Sequence, residues 1–235
     1  MSNPLVERAG DGAVLHPPDV RIHATAIVEA GVALGSGTCV WDNVHIRQGA
    51  ALGEQCIVGE KTYIAYGVKI GRRVKINAMV YICYGVTIED GVMISAGTIF
   101  TNDAFPRAAT PDLKRLRPSD PDESTRQTIV AEGATIGAGC TVGSNLRIGR
   151  FAMIGMGSVV TRDVPDFHLA VGNPARSIGA VCRCGRPIAR WPAGEPPTQA
   201  HCECDQCGAR YSVCGGNVAE APAAAAVLDS QQAAP

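Results

Sequence analysis

The sequence predicts an all-β fold, a parallel β-helix, and three regularities carry that prediction. The first is a large aliphatic residue at every sixth position: Ile22, Val28, Leu34, Val40 and Ile46 open a series that runs without a break to Ile94. It reaches Phe100, lapses for about thirty residues, and resumes at the same spacing with Val130, Ile136, Val142, Ile148, Ile154 and Val160, nineteen aliphatic hexads in all. The second is a small or β-branched residue four places after each aliphatic one, as at Ala26, Val32, Thr38 and Val44. The third is glycine one place after the aliphatic residue, as at Gly35 and Gly53, or three places after it, as at Gly37 and Gly97.

A helix repeats its apolar face every 3.6 residues and a free strand every 2, so a strict period of six fits neither; a short fixed period marks a solenoid. One large and one small inward position per hexad describe a flat two-residue strand followed by a corner, where glycine accepts backbone angles and close approaches that a Cβ resists. Asn43, Asn77 and Asn145 also fall near corners, and asparagine tolerates the left-handed region. With three hexads per triangular coil, the nineteen give a prism a little over six coils long. The coils are expected to stack at roughly 4.8 Å each.

The elements follow in order. Residues 1–20 are an N-terminal extension and 21–178 the β-helix, with an insertion at 101–129. Residues 179–215 form a cysteine-rich appendage, and the Ala- and Pro-rich stretch from 216 to 235 is a disordered tail. A net charge of -1 gives no electrostatic support to a nucleic-acid partner. The first residues, MSNPLVERAGDG, lack a basic-then-apolar signal, and no apolar run approaches eighteen residues, so no membrane insertion and a cytoplasmic location are expected. Ten cysteines in such a compartment are reduced thiols or metal ligands. Cys39, Cys56, Cys83 and Cys140 lie within the hexads as core filler.

The other six cluster after residue 180. Cys182-Arg-Cys184-Gly185 and Cys204-Asp-Gln-Cys207-Gly208 are two close pairs separated by a loop, the pattern of a tetrahedral structural zinc, here with Cys182, Cys184, Cys204 and Cys207 as ligands. Cys202 or Cys214 could replace one of them, since the first pair is C-x-C and not the commoner C-x-x-C.

The insertion carries four prolines and begins with Thr101-Asn102-Asp103, followed by Pro106-Arg107. Insertions in solenoids gather on one face, often the binding face. FTNDAFPRA at 100–108, GSVVTRDVPDFHLAVGNPAR at 157–176 and the CRCG that follows resemble bacterial hexapeptide-repeat nucleotide-sugar N-acetyltransferases. The likeness is greatest to those acting on the 3-amino group of UDP-linked aminouronic acids or dTDP-linked 3-amino-dideoxyhexoses. The resemblance implies a left-handed prism, a homotrimer, and acetyl-CoA lying in the groove between subunits, serving surface-polysaccharide synthesis such as that of lipopolysaccharide.

It also implies roles for single residues. Asn102 orients the sugar amine, with Asp103 second as acceptor of its proton, and Arg107 meets a carboxylate or the diphosphate. Gly155 and Gly157 let the pantetheine approach, and Arg162 and Arg176 meet the adenosine phosphates. The run Ala78 to Tyr84 is apolar and aromatic where such relatives carry polar residues, and its outward positions, Tyr84 among them, are candidates for the nucleotide-sugar pocket. Lys69, Arg72, Arg73 and Lys75 form a basic strip that is either a phosphate site or a solvated face.

An amine attacks a thioester once desolvated, whereas a hydroxyl needs a positioned base, usually histidine. None of the five histidines lies in or beside the insertion. His45 precedes Asn102 by a little over three coils, roughly 15 Å along the prism. The expectation is therefore N-acetylation. O-acetylation, a γ-carbonic-anhydrase-like enzyme and a non-catalytic trimeric scaffold are the alternatives; the carbonic anhydrase needs three metal-binding histidines, which His23 and His45 do not supply.

Overall fold

The structure, a computed structural model, describes residues 16–118, 120–121, 125–191 and 195–221 of the 235. Twenty strands of two or three residues, from Arg21–Ile22 to Val159–Val160, wind into three parallel sheets. Each strand pairs with those one coil before and one coil after, eighteen residues away outside the insertion: Ile22 lies beside Val40, Val40 beside Val58, and Val58 beside Ile76. The twenty strands are the nineteen aliphatic hexads and the one that the register reaches at Phe100, which occupies the large inward position and is 1 % exposed there.

Inside the prism the large residues stack in three columns. Ile46, Ile64, Ile82 and Phe100 belong to one, and Leu34, Leu52, Ile70, Ile88, Val130 and Ile148 to another, all buried. Burying each such side chain contributes about 1.5–3 kcal/mol. The small inward positions tie the coils in a second way where they are polar. Buried Thr38 donates its hydroxyl to the Gly53 carbonyl one coil on (3.0 Å) and accepts from the Cys56 N–H (3.2 Å). Thr62 repeats this with Asn77 and Val80 a coil later.

The two glycine positions have different causes. Three places after the large residue the chain takes positive φ whatever the residue: Gly37 at 72°, but also Asn43 at 54°, Gln55 at 57° and Lys61 at 57°. One place after it φ is ordinary and space is the constraint, since a Cβ on Gly35 would come 2.5 Å from the Glu54 backbone nitrogen. Asn43 and Asn145 are thus left-handed corners, whereas at the corner containing Asn77 it is Met79 that takes the positive φ.

Beyond the prism, strands His168–Gly172, Ala175–Val181 and Pro187–Arg190 extend the first sheet to ten strands. A three-stranded antiparallel sheet, Gln199–Glu203, Arg210–Cys214 and Asn217–Glu220, packs a second core around Phe167, Trp191, Tyr211 and Val213. The tail expected from residue 216 is corrected here: residues 217–220 are the third strand of this sheet, its Val218 buried. The rest of the expected tail, from 222, and residues 1–15 of the N-terminal extension lie outside the described residues. The insertion also ends earlier than 129, because Thr128–Val130 is already a prism strand.

His168 fastens this sheet to the prism. Its Nε2 lies 2.8 Å from the Gly216 carbonyl, its Nδ1 lies 2.9 Å from the Ser177 hydroxyl, and its ring meets Trp191 edge-on at 4.6 Å. Burial lowers its pKa from the ordinary 6.5. A histidine lowered on folding contributes stability that is complete above its unfolded value and is lost as pH falls through 6.5 toward the folded value. Urea midpoints should therefore fall between pH 8 and pH 5.5, and His168→Asn, although less stable throughout, should show a smaller fall.

Candidate active site

The insertion leaves the prism at a single corner, immediately after strand Ile99–Phe100. Its base is pinned as a narrow hairpin: Asp103 bridges Thr125, and the Arg126 N–H donates to the Asn102 carbonyl at 3.2 Å. Farther out Ala109 bridges Leu116. The backbone of Asn102 and Asp103 is thereby held against the prism and not left to a wandering loop.

Beneath this base is a cavity of about 360 Å³. The prism side of its wall is Tyr63, Ala65, Tyr66, Tyr81, Cys83 and Tyr84. The insertion side includes Asn102, Asp103, Arg107 and Arg117. The cavity thus brings together the predicted Asn102, Asp103, Arg107 and Tyr84. Arg107 is exposed, and its guanidinium donates to the Pro106 carbonyl at 3.0 Å. Burial pushes the Cys83 thiol up to about 11, the Asp103 carboxylate adding to the shift. Tyr66 and Tyr81 are likewise raised, chiefly by burial.

Tyr81 lies in the run whose outward positions were expected to line the pocket, whereas Tyr63 and Tyr66 were missed by sequence reasoning, although a signal was available. Tyr63 and Tyr81, and Tyr66 and Tyr84, are each eighteen residues apart, one coil, and so must lie above one another. Tyr63 and Tyr81 are stacked with centroids 5.1 Å apart, Tyr66 and Tyr84 with centroids 5.0 Å apart. Since Tyr81 pairs with Ile99, Asn102 stands one coil above Tyr84 on the same corner.

His45 lies farther down the same sheet and does not line the cavity. Its strand pairs with that of Tyr63, its ring meets Tyr63 edge-on at 5.5 Å, and its Nε2 lies 2.8 Å from Glu29. Partial burial works against the Glu29 carboxylate, but bonds from the Gln48 N–H, His45 and Arg47 outweigh it and lower its pKa. Arg47 in turn donates to the Tyr63 hydroxyl at 2.9 Å.

The residues assigned to coenzyme A divide. The register Phe100 to Val142 to Val160 sets Arg162 on the corner of Asn102, two coils on. Gly155 and Gly157 occupy the preceding corner, and neither they nor Arg162 and Arg176 line the cavity. The room Gly155 leaves is taken by this chain, since a Cβ there would come 2.6 Å from Val171 Cγ1; a Cβ on Gly157 would meet nothing within 4 Å. Arg176 is exposed and donates to the Ala175 carbonyl at 2.7 Å. In the basic strip, Arg72 is committed to Asp90 (2.8 and 3.0 Å), and bonds from the Arg72 N–H and guanidinium lower the Asp90 pKa.

In the appendage, Cys182, Cys184, Cys204 and Cys207 converge, their Sγ atoms all within 4.8 Å of one another. Four thiolates about 2.3 Å from a tetrahedral zinc stand roughly 3.8 Å apart. Here Cys182 and Cys207 are 3.4 Å apart, and Cys184 and Cys204 3.6 Å. Cys202 and Cys214 stand outside this cluster, which is the one grouping of potential metal ligands among the described residues.

Comparison with known proteins agrees with the repeat. The family described as the hexapeptide repeat of succinyl-transferase matches residues 49–84. Period and prism agree with that match, which covers a short stretch of the repeat. The chain is similar to the dTDP-3-amino-3,6-dideoxy-alpha-D-galactopyranose 3-N-acetyltransferase of Aneurinibacillus thermoaerophilus, with 46% identity over 98 residues, 42% of this chain and 47% of that protein. It is also similar to the bifunctional protein GlmU of Alkalilimnicola ehrlichii, with 45% identity over 64 residues, 27% of this chain and 14% of that one. The chain thus spans less than half the length of these relatives. Among solved structures, AntD, an N-acyltransferase from Bacillus cereus in complex with dTDP and coenzyme A, superposes with a TM-score of 0.43 at 21% identity, covering 73% of this chain and 82% of that one.

The cavity makes a chemical prediction of its own. Cys83 is 4 % exposed with a raised pKa, whereas Cys214 is exposed. At pH 7.5 iodoacetamide should label Cys214 at least about tenfold faster than Cys83, because the thiolate is the nucleophile; peptide mass spectrometry reads the ratio.

Proposed function

We propose that the protein transfers the acetyl group of acetyl-CoA to the amine of a nucleotide-linked sugar, a 3-amino sugar above all. The observation that carries this reading is the cavity at the base of the insertion, which joins Asn102 and Asp103 to an aromatic wall and, among the described residues, has no histidine in its lining. The likeness to a sugar 3-N-acetyltransferase supports it.

The chemistry asks little of the protein beyond placement. The neutral amine attacks the thioester carbonyl, an oxyanion forms, the C–S bond breaks, and the coenzyme A thiolate leaves. Asn102 orients the amine by accepting one of its hydrogens. The proton shed by the resulting ammonium passes to Asp103 or to the departing thiolate. Orientation and desolvation supply most of the acceleration in such a step. Arg107 meets the diphosphate, and Arg162, on the corner of Asn102, meets coenzyme A. Asn102→Ala should lower kcat/KM for the amino sugar at least about a hundredfold, as loss of a group that orients the reactants does. A steady-state assay with acetyl-CoA and a panel of UDP- and dTDP-linked amino sugars measures this, and full turnover by the variant would remove Asn102 from the mechanism.

The active assembly in this reading is a homotrimer with one structural zinc per chain, held by Cys182, Cys184, Cys204 and Cys207 and taking no part in the reaction. Ile27, Trp41 and Met79 are exposed on the outside of the prism, and outward apolar residues of this size support association. The spacing of the four sulfurs supports the metal. The reading takes the enzyme to be cytoplasmic, where these thiols stay reduced. Native mass spectrometry should find three chains with three zinc ions. Cys204→Ser should reduce the metal below about half an equivalent per chain and lower the melting temperature, because a structural zinc couples its binding energy to folding.

A further inference from the structure

The tyrosines of the cavity wall are more than filler for an outward face. They sit in two columns set by the eighteen-residue coil, Tyr63 under Tyr81 on the sheet and Tyr66 under Tyr84 on the adjoining corner. The rings of each column lie near-parallel, 7° and 28° between planes, at separations of 5.1 and 5.0 Å, close to the spacing of the coils, about 4.8 Å. Tyr84 is the top of its column, and the next residue on that corner is Asn102. One coil below the candidate amine-orienting group, therefore, and in the same cavity wall, stands an aromatic ring that is itself stacked on Tyr66.

The other column is braced. Arg47 donates to the Tyr63 hydroxyl (2.9 Å) and is paired with Glu29 (2.6 Å), while His45 presses its edge on the Tyr63 ring. Such support fixes rotamers, which an exposed tyrosine on a solvated sheet does not require. On the prism side the rest of the lining is Ala65 and Cys83, so the charged groups of the cavity come from the insertion.

We propose that Tyr84, backed by Tyr66, is a stacking platform for the pyranose ring of the acceptor, and that Tyr81, held by Tyr63 and Arg47, is the adjoining wall that fixes its position. A pyranose exposes a face of C–H bonds, which packs on the electron-rich face of an aromatic ring. A ring lying on Tyr84 has its edge at the level of Asn102, where its amine is presented for attack, and its diphosphate turns toward the arginines of the insertion. The platform thus binds the sugar moiety and not the nucleobase. This inference rests on the proposed acceptor class and assigns the residues that select it.

The test is equilibrium binding, which needs no turnover. The affinity of each nucleotide-linked amino sugar in a UDP and dTDP panel is compared with that of the free nucleoside diphosphate, by calorimetry, for the wild type, Tyr84→Phe, Tyr84→Leu and Tyr84→Ala. For at least one sugar the wild type should bind the nucleotide sugar about tenfold more tightly than the free nucleotide. Tyr84→Ala and Tyr84→Leu should lose that increment while binding the free nucleotide normally, and Tyr84→Phe should keep it. Tyr84→Leu retains apolar bulk, so its loss separates the ring face from simple filling, and its thermal melt reports folding. A wild type with no increment for any sugar, an increment that survives both Tyr84→Ala and Tyr84→Leu, or an equal loss for the free nucleotide overturns the platform. An intact, Tyr84-dependent increment without acetyl transfer would instead overturn the proposed reaction and leave the platform standing.

Discussion

Everything in this protein depends on one constraint: each coil must lie in register on the coil before it, eighteen residues back. The strands are only two or three residues long and could not persist alone. They persist because each one between the ends of its sheet is paired on both sides and because a large apolar residue sits on another directly below. Stability is consequently a sum of nearest-neighbour contacts along the axis, as in other solenoids. The cost of the arrangement falls on the corners, where the chain adopts positive φ whether the residue is Gly37, Gln55 or Lys61, and where coils approach too closely for a Cβ at Gly35.

The same register turns a linear sequence into a surface. Residues eighteen apart become neighbours, so a column can be composed for a purpose without disturbing the core. One outward column of the seven-stranded sheet of the prism holds Ile27, His45, Tyr63, Tyr81 and Ile99 in succession. The corner beside it holds Tyr66, Tyr84 and Asn102. The insertion leaves between two coils at that same corner, and the core closes beneath it as though nothing intervened: Phe100 pairs with Val142 across forty-two positions of sequence. A solenoid tolerates this because an inserted loop adds to no contact between coils and removes none.

The C-terminal sheet solves a different problem. The first sheet is continued past the last coil by His168–Gly172, still parallel, and then by two antiparallel strands, with Phe151 stacked on Phe167 and Phe167 meeting Tyr211 edge-on. The cysteine cluster joins the end of one of those strands, at Cys182, to the turn at Cys204–Cys207. His168, pinned between Ser177 and Gly216, makes the same junction by hydrogen bonds. The remote sheet is thereby continuous with the prism through both sulfur and imidazole.

The sequence alone determined the architecture, because a period of six is a statement about backbone geometry that few side-chain details can alter. It determined where the register fails, and so where Asn102 and Asp103 leave the prism, and it paired the cysteines that converge, because two close pairs have few ways to meet. It carried the register to Phe100, which fills the same inward space as an aliphatic residue, but it did not find the strand at 217–220, whose alternation is too short to stand out among alanines. Only the tertiary structure decided what lies across from the insertion. The eighteen-residue spacing stacks the tyrosines, but their facing the insertion depends on a hairpin base held by Asp103 and Thr125, a contact between segments that no spacing encodes. For the same reason Gly155, an apparent opening for a ligand in the sequence, is occupied by Val171, a residue sixteen positions later that only folding brings there.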